Sequence, residues 1–287
     1  MNLNMYNAIV IAGPTGVGKT ELSIKLAKLL NARIISADAS QVYKTLDIGT
    51  AKITEDEKDG VIHYLIDEVE PNEKYSVGHF YETANKILNE NKEVPFLIVG
   101  GTGLYISSLT DGLTMMDKVD YKKREKLESM TLSELQDLLS EEEKKQIDIK
   151  NKVRVIRKIE TRGVVYNNKL GNDRKFLKIF LTRNRTTLYD RINKRVDIMM
   201  EQGLLEEAKK AYNVYGDKIQ CIGYKQLFEY FKSNVSLKEA IENIKTASRR
   251  YAKRQFTWFK NKGYIEYNLD DESIDKIIEK IRRDYGN

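Results

Sequence analysis

The chain has 287 residues, with 49 Lys and Arg against 43 Asp and Glu, which gives a formal net charge of +6. Hydrophobic residues make up 41% and charged residues 32%, a composition typical of a globular rather than a disordered protein. The single cysteine, Cys221, excludes an internal disulfide framework and a cysteine-based zinc site, and two histidines offer little for metal or triad chemistry. No run reaches the ~18 apolar residues of a membrane span, and the first residues carry no basic segment, so we expect a cytoplasmic protein without a membrane anchor.

The first third of the chain alternates between strand-type and helix-type patterns. The apolar, β-branched run at 8–12 predicts a buried parallel strand, and leucines at helical spacing predict a helix over 20–30. Further strands are predicted at 33–36 and 95–99, with a helix over 80–89 between them. This order predicts an α/β fold with a parallel sheet flanked by helices, and the segment GPTGVGKT at 13–20 makes that sheet P-loop NTPase-like.

From about residue 113 the pattern changes, because charge is dense and strand-type runs are scarce. Short helices are predicted at 121–130, 132–139 and 151–162, and a strand at 177–181 resumes the core, followed by a helix over 186–201. A long helix is predicted over about 236–260, with a short terminal strand and helix after it. We therefore predict three parts: the first part of the core at 1–112, a lid-like helical insertion domain at 113–172, and the continued core with a basic, mainly helical C-terminal region at 173–287.

The segment GPTGVGKT at 13–20 matches the phosphate-loop pattern G-x-x-x-x-G-K-[ST] in full. Its glycines let the backbone N–H groups face phosphate oxygens, and the N-terminus of the following helix favours an anion. Lys19 is placed to reach the outer phosphates and the Thr20 hydroxyl to hold Mg²⁺. The sequence therefore predicts a di- or triphosphate ligand on a loop formed by Gly13, Pro14, Thr15, Gly16, Val17, Gly18, Lys19 and Thr20, with Mg²⁺ as cofactor.

The acidic residue available near this loop is Asp38, which follows the second predicted strand. In a P-loop NTPase an Asp usually ends a neighbouring apolar strand and holds the metal, but here the strand at 95–99 ends in the GGTG of 100–103. The carboxyl ends of parallel strands meet at one edge, so Asp38, 13–20 and 100–103 are expected to converge on one crevice. A carboxylate there is a metal ligand, a general base or merely a turn residue, and ATP hydrolysis is not the obvious use of the site.

A second signal is basic, since residues 245–262 hold seven Lys and Arg and no acid. At ~100° per residue, Lys245, Arg249, Lys253 and Lys260 fall on one helical stripe, opposite an apolar face. A nucleic-acid phosphate backbone is the favoured partner of such a stripe, and a solvated helix face is the alternative. A second basic cluster at 174–195 would complete a channel.

Nine segments in order along the chain together resemble the bacterial tRNA dimethylallyltransferase family. They are GPTGVGKT at 13–20, SADASQVY at 36–43, DIGTAK at 47–52, GGTGLY at 100–105, NKVRVIR at 151–157, YDRINKR at 189–195, GLL at 203–205, CIGYK at 221–225 and RYAKRQFTW at 250–258. The phosphate loop alone is not specific to this family, whereas the ordered set is. Departures from the family pattern include Ala39, where Ser is common, and Tyr64 and His79.

The resemblance implies transfer of a dimethylallyl group from dimethylallyl diphosphate to N6 of the adenosine immediately 3′ of the anticodon, position 37, with release of diphosphate. The implied substrates are tRNAs reading codons that start with U, bound through the anticodon stem-loop by a monomeric enzyme. Asp38 is implied as the group that takes the N6 proton, Thr102 and Arg124 as lining of the channel, and Arg195 as a partner of the diphosphate. The implied catalytic residues are thus Asp38, Thr102 and Arg195.

The resemblance also implies a set of residues that contact tRNA. They are Asp38, Ala39, Ser40, Gln41, Thr102, Arg124, Asn151, Arg154, Gln220, Cys221, Gly223, Tyr224, Lys225, Arg249, Lys253, Arg254 and Gln255. Two rival functions remain open at this point. A P-loop small-molecule or nucleotide kinase predicts ATP binding and no role for the basic stripe, and a non-catalytic RNA-binding protein predicts that Asp38→Ala changes nothing.

Overall fold

The computed structural model describes residues 7–114, 120–163, 169–170 and 174–286. The chain divides into two compact units, one from 1–111 with 172–287 and the other from 112–171. The first domain boundary expected from the sequence lies within a residue of this division, and the second, at 172–173, lies outside the described residues. The described helices include none long and apolar enough to cross a membrane.

The first unit is built on a parallel sheet of six strands, and the second contains a short antiparallel pair in its described part. The strands are β1 (Ala8–Ala12), β2 (Arg33–Ala37), β3 (His63–Tyr64), β4 (Phe96–Gly100), β5 (Leu113–Thr114), β6 (Lys169–Leu170), β7 (Phe176–Thr182) and β8 (Ile265–Asn268). The six-stranded order is β3-β2-β4-β1-β7-β8, so β4 lies between β1 and β2. Gly100 at the end of β4 pairs with Ala12 on one side and Ala37 on the other, which aligns the carboxyl ends of three strands.

Helices make up most of the remaining described chain. They are α1 (Lys19–Leu30), α2 (Glu55–Lys58), α3 (Val77–Glu90), α4 (Gly103–Thr110), α5 (Tyr121–Ser129), α6 (Leu132–Asp137), α7 (Glu141–Gln146), α8 (Lys152–Glu160), α9 (Arg185–Glu201), α10 (Leu204–Tyr215), α11 (Tyr224–Phe231), α12 (Leu237–Phe259) and α13 (Ile274–Gly286). The fold class predicted from the sequence is confirmed, with a P-loop-like sheet flanked by helices.

The core of the first unit follows from its apolar patterns. All five residues of β1 are buried, as expected for a central strand covered on both faces. Leu22 and Leu26 of α1 pack with Ile9 of β1 and Ile277 of α13 in one cluster. A second cluster joins α9 to α12 around the fully buried Tyr224. The sheet and the C-terminal helices are thus held by adjoining apolar layers within one unit.

The second unit is mainly helical in its described part and has a small core of its own. Leu127, Leu135 and Ile156 belong to a buried cluster formed by α5, α6 and α8. Helix α7 was not predicted from the sequence, because EEEKKQ has no apolar periodicity. A capping box, in which the Ser140 hydroxyl accepts from the N–H of Glu143, begins this helix instead.

The close approach of β2 and β4 generates a stability prediction. A Cβ added at Gly100 would lie 2.1 Å from the carbonyl oxygen of Ala37, a backbone atom that cannot move aside. We expect Gly100→Ala to lower the free energy of unfolding by ~1–3 kcal/mol, the usual range for overpacking. Urea denaturation measures the change, with Gly286→Ala as the control because nothing lies within 4 Å of its added Cβ. Equal stability of the two variants would contradict the close approach.

Candidate active site

The phosphate loop connects β1 to α1, and its shape is held by hydrogen bonds from Lys19 within it and from two arginine side chains outside it. Gly16 and Gly18 adopt left-handed backbone conformations, with φ of 79° and 116°, which favour glycine. The Lys19 ammonium donates to the carbonyl oxygens of Gly13 and Pro14, both at 3.0 Å. These two loop carbonyls are therefore hydrogen-bonded to Lys19, and the amide groups of the loop are left to bind a ligand.

Two arginines hold the outer side of the same loop. Arg191 donates through Nε to the carbonyl of Gly16, and Arg183 through Nε to that of Val17, each at 2.9 Å. Arg183 is also paired with Asp270 at 2.6 Å. These bonds occupy carbonyl oxygens that would otherwise repel an anion.

Lys19, Arg195 and Asp38 form an electrostatically coupled group at the loop. Burial lowers the pKa of Lys19 to about 8, an effect that Asp38 opposes and Arg195 reinforces. Burial also lowers the pKa of Arg195, and the charges of Asp38 and Glu57 oppose that shift. The carboxylate of Asp38 thus partly stabilises the charges of two partly desolvated cations. Binding of a further anion such as a phosphate would stabilise those charges further.

Asp38 lies directly after β2, at the carboxyl edge of the sheet where it was predicted. Its Oδ1 accepts the N–H of Ser40 at 2.9 Å, so one oxygen does cap a turn. Among the described residues, no hydrogen bond to its other oxygen occurs, and that oxygen is left for other chemistry. Turn capping and proton transfer are therefore compatible in this side chain.

Thr102 is joined to the same turn from the neighbouring strand. Its N–H donates to the carbonyl of Ala37 at 3.1 Å, and its Oγ1 accepts the N–H of Ala39 at 2.9 Å. These two bonds place Thr102, at the start of α4, beside Asp38. The structure therefore brings together the phosphate loop, Asp38 and the 100–103 segment, as the sequence predicted.

Helix α12 closes this edge with side chains that the sequence assigned to other tasks. Gln255, predicted to contact tRNA, is 4% exposed and accepts the N–H of Thr15 at 2.9 Å. The Tyr251 hydroxyl is hydrogen-bonded to Thr102 and Gln255, and burial and the Asp38 charge raise its pKa. The Gln255 side chain thus faces the phosphate loop, and its contact with tRNA stays a prediction.

Tyr224, also predicted to contact tRNA, lies in the interior of the first unit. It is fully buried, and its hydroxyl donates to Glu207 Oε1 at 2.6 Å. Glu207 also accepts the backbone N–H groups of Asp47, Ile48 and Gly49 at 2.9–3.0 Å. Glu207 was missed in the sequence, because nothing in its spacing links it to a loop about 160 residues away.

The segment around Cys221 lies against the turn that carries Asp38. Burial raises the pKa of the Cys221 thiol to about 11, a hydrogen bond with Ser40 opposes the shift, and the Asp38 charge reinforces it. Gly223, with φ of 101°, begins α11 beside it. The thiol is therefore neutral at physiological pH and serves as packing rather than as a nucleophile.

The predicted cationic stripe of α12 is only partly correct. The Lys245 side chain is 15% exposed and is paired with Asp197 at 2.8 Å and Glu242 at 3.2 Å. Arg249 donates to Asn193 of α9 and to Thr246. The stripe faces α9 at this end because helical spacing does not reveal which side a neighbouring helix covers. The exposed cations of α12 are Lys238, Arg250, Lys253 and Arg254, and Lys260 and Lys262 are exposed just after the helix ends.

A groove of about 670 Å³ runs between α11 and α12. It gathers three residues predicted to contact tRNA, Gln220, Lys225 and Arg254, and adds Arg250. Phe228 and Ile222 supply apolar surface in the same groove. The same groove holds the carboxylates of Asp217 and Glu229, which are paired with Lys232. Cations beside apolar surface suit a single-stranded nucleic acid, which offers both phosphates and bases.

Gln41, also predicted to contact tRNA, donates through Nε2 to the carbonyl of Ala51 at 3.1 Å in the first unit. Three further predicted residues lie in the second unit. Arg124 is paired with Glu128 at 3.1 Å and with the buried Glu160 at 3.3 Å. Asn151 caps α8, where its Oδ1 accepts the N–H of Arg154 at 3.2 Å. Arg154 itself is exposed.

The residues present fit a magnesium ion carried by a diphosphate. Among the described residues, no group of three or more His, Cys, Asp or Glu is placed to hold a metal by itself. Thr20 is exposed at the first turn of α1, beside the loop that would bind phosphate. Mg²⁺ keeps several waters and needs few protein ligands when substrate phosphates supply the rest, so one hydroxyl is sufficient.

A glycine-rich loop, two desolvated cations and a carboxylate at the carboxyl edge of a parallel sheet define a P-loop α/β protein built to bind a phosphorylated ligand. The comparisons with known proteins specify which kind. The family model described as "IPP transferase" matches residues 41–262, and this chain belongs to that family.

The relatives match over almost the whole chain. A tRNA dimethylallyltransferase of Fusobacterium nucleatum is 52% identical over 97% of this chain and 97% of that protein, and one of Bacillus anthracis is 48% identical over 95% and 94%. Among solved structures, the full-length tRNA isopentenylpyrophosphate transferase of Bacillus halodurans has a TM-score of 0.74 and 42% identity, covering 97% of this chain and 95% of that one. A eukaryotic dimethylallyltransferase acting on tRNA has a TM-score of 0.77 and 26% identity, with 96% and 80% covered.

The lowered pKa of Lys19 generates a pH prediction. A bound diphosphate favours the ammonium form of Lys19, and so raises the pKa of Lys19 above its value of about 8 in the ligand-free protein. Below pH 8 the ammonium is already present, whereas above pH 8 binding must take up a proton, so affinity falls by up to about tenfold per pH unit. Calorimetry with methyl diphosphate and Mg²⁺ from pH 8 to 9.5 measures this, since the last ionisation of the diphosphate, near pH ~6–7, is complete below that range.

Lys19→Arg is the matched control for this titration. Its guanidinium stays charged across the range, so the affinity of the variant should be nearly independent of pH. The same slope in both proteins would contradict the assignment of the titration to Lys19.

Proposed function

We propose that this protein transfers a dimethylallyl group from dimethylallyl diphosphate to N6 of the adenosine at position 37 of tRNAs that read codons starting with U. The observation that carries the proposal is the position of Asp38, which is coupled to both Lys19 and Arg195 at a phosphate loop and whose second carboxylate oxygen accepts no hydrogen bond from the residues that the structure describes. Relatives matched over 94% or more of their own length are named tRNA dimethylallyltransferases, which supports the same reaction.

The chemistry follows from the charges around the loop. The bond from the allylic carbon to the diphosphate oxygen breaks, and the loop amides, Lys19 and Arg195 stabilise the departing diphosphate. N6 forms the new bond to that carbon, and Asp38 accepts the proton that N6 releases. Mg²⁺, held by Thr20 and diphosphate oxygens, would neutralise further charge on the leaving group.

The target base has to leave its stack to reach this edge of the sheet. Extrusion costs a few kcal/mol and is least costly for a nucleotide that is already unpaired, which favours an anticodon loop as substrate. Thr102 lies beside Asp38 and is proposed to line the position of the flipped adenine. The chain is proposed to act as a monomer, because the tRNA supplies the large partner surface.

The exposed cations of α12 provide a surface for the RNA backbone. Arg250 and Lys253 are exposed, Arg254 is exposed and lies over the Tyr251 ring at 5.5 Å, and Lys225 lines the same groove as Arg250 and Arg254. Such a surface binds phosphates in a salt-dependent way. The kinase alternative gains no support, since the matched relatives are transferases acting on tRNA.

A transfer assay tests the function directly. Unmodified tRNA, dimethylallyl diphosphate and Mg²⁺ are incubated with the protein, and nucleoside masses are measured after nuclease digestion. The expected product is an adenosine heavier by one dimethylallyl group. Unmodified adenosine together with turnover of ATP in a parallel reaction would favour the kinase.

Asp38→Asn tests the general base. The amide keeps an oxygen for the N–H of Ser40 but cannot take a proton, so we expect turnover to fall by ~10²–10⁴-fold with tRNA affinity retained. Single-turnover kinetics and tRNA titration measure the two quantities. Asp148→Asn is the matched control, because Asp148 makes the same turn, accepting the N–H of Lys150 at 3.1 Å, in the second unit. Unchanged turnover in Asp38→Asn would remove Asp38 from this role.

Lys253→Ala tests the RNA surface. Loss of one phosphate contact should weaken tRNA binding and reduce the slope of log affinity against log salt by about one. Lys245→Ala removes a cation that is already paired with Asp197 and Glu242, so its slope should equal that of the wild type. A wild-type slope in Lys253→Ala would assign that lysine to a solvated face.

A further inference from the structure

One face of α12 is directed at the loops of the active site. Tyr251, Gln255 and Trp258 are spaced by four and three residues, which places them on the same side of a helix. The Tyr251 hydroxyl is hydrogen-bonded to Thr102, and Trp258 packs on Gly103. Gln255 forms hydrogen bonds to the phosphate loop and to the loop after β4. These three side chains are uncharged at neutral pH, and cations begin at the border of this face, where Arg254 lies over the Tyr251 ring and Lys262 over the Trp258 ring.

Gln255 uses both ends of its amide in this position. Its Oε1 accepts the N–H of Thr15 in the phosphate loop at 2.9 Å, and its Nε2 donates to the carbonyl of Gly101 at 3.1 Å. The side chain is 4% exposed, so water does not compete effectively for these groups. One amide therefore bridges the loop after β1 and the loop after β4, two segments that lie 240 and 154 residues from it in sequence.

The space beside Gly101 is filled by this amide. A Cβ at Gly101 would lie 2.0 Å from Gln255 Nε2 and 3.0 Å from its Cδ, and the next atom is the Gly13 oxygen at 3.2 Å. The approach is thus limited almost entirely by Gln255. Glycine at 101 and glutamine at 255 are complementary parts of one contact.

We propose that Gln255 is a positioning residue for the diphosphate loop, an inference that rests on the proposed function. Because Gln255 takes the N–H of Thr15, the phosphate oxygens are bound by the later amides of the loop and by Lys19. Because the same side chain holds Gly101, it sets the distance between the leaving diphosphate and the loop that carries Thr102. Gln255 does not touch the reacting atoms and acts through the two loops.

The first test needs no ligand. Amide hydrogen exchange at Thr15 should be slow in the wild type and at least about tenfold faster in Gln255→Met, which keeps the side-chain volume and loses both hydrogen bonds. Lys238→Ala, an exposed change at the far end of α12, is the control and should leave Thr15 exchange unchanged. Equal exchange at Thr15 in Gln255→Met and wild type would overturn the bridge.

The second test measures binding of methyl diphosphate with Mg²⁺ by calorimetry in the absence of tRNA. Gln255→Ala and Gly101→Ala should each weaken binding about tenfold or more, because each disturbs the same bridge. In the double variant, Gly101→Ala should add no more than about threefold to Gln255→Ala, because the clashing amide is gone. Gln255→Ser, which also removes the clashing amide, replaces Gln255→Ala in the cycle if the alanine variant does not fold.

The outcomes separate this inference from the function on which it rests. A wild-type protein that binds no methyl diphosphate would contradict the proposed function and the inference together. Wild-type binding that Gln255→Ala leaves unchanged would overturn the inference alone, as would full additivity in the cycle. Non-additive loss of affinity together with faster exchange at Thr15 is the result expected for a positioning residue. If Gln255 only stabilised the fold, exchange at Thr15 would rise in step with exchange at core amides through global unfolding, and that result would overturn the inference.

Discussion

The active site depends on how closely two parallel strands approach at their carboxyl ends. Gly100 has no side chain, so the backbone of β4 can lie against the carbonyl of Ala37 at the end of β2. That contact lets Thr102 bond to both Ala37 and Ala39, and so fixes Asp38 relative to the start of α4. With a larger residue at 100, the carboxylate and the phosphate loop would lose their common edge.

Burial of charged side chains at this edge destabilises the ligand-free protein, and binding of an anion compensates for that burial. Lys19 and Arg195 are both partly desolvated, and Asp38 compensates only a part of that loss. The backbone carbonyls of the loop are occupied by Lys19, Arg183 and Arg191, so the loop presents donors to a ligand before it arrives. Preorganised donors of this kind need little rearrangement as charge develops on a leaving group.

The predictions that succeeded from sequence were those carried by local patterns. The strand before the phosphate loop, the loop itself and the position of Asp38 after β2 depend on neighbours in the chain and on the rule that strand ends meet. The pairing of Lys245 with Asp197 and the burial of Gln255 depend on which helix lies alongside α12, information that periodicity does not contain. Glu207 was missed for the same reason, since its partners at 47–49 are distant in sequence.

The order of strands in the sheet has a consequence for synthesis of the chain. Strand β1 pairs with β4 on one side and with β7 on the other, and β7 begins only at Phe176, after the second unit. Ribosomes add about 5–20 residues per second, so the second edge of β1 waits several seconds after β4 has formed. During this interval the backbone groups on that edge of β1 are unpaired, and all five of its side chains are apolar. An unpaired edge of an apolar strand is a template for association with other chains. Early folding of the second unit, whose small core is independent of the sheet, shortens the segment that β7 must then bring back to β1.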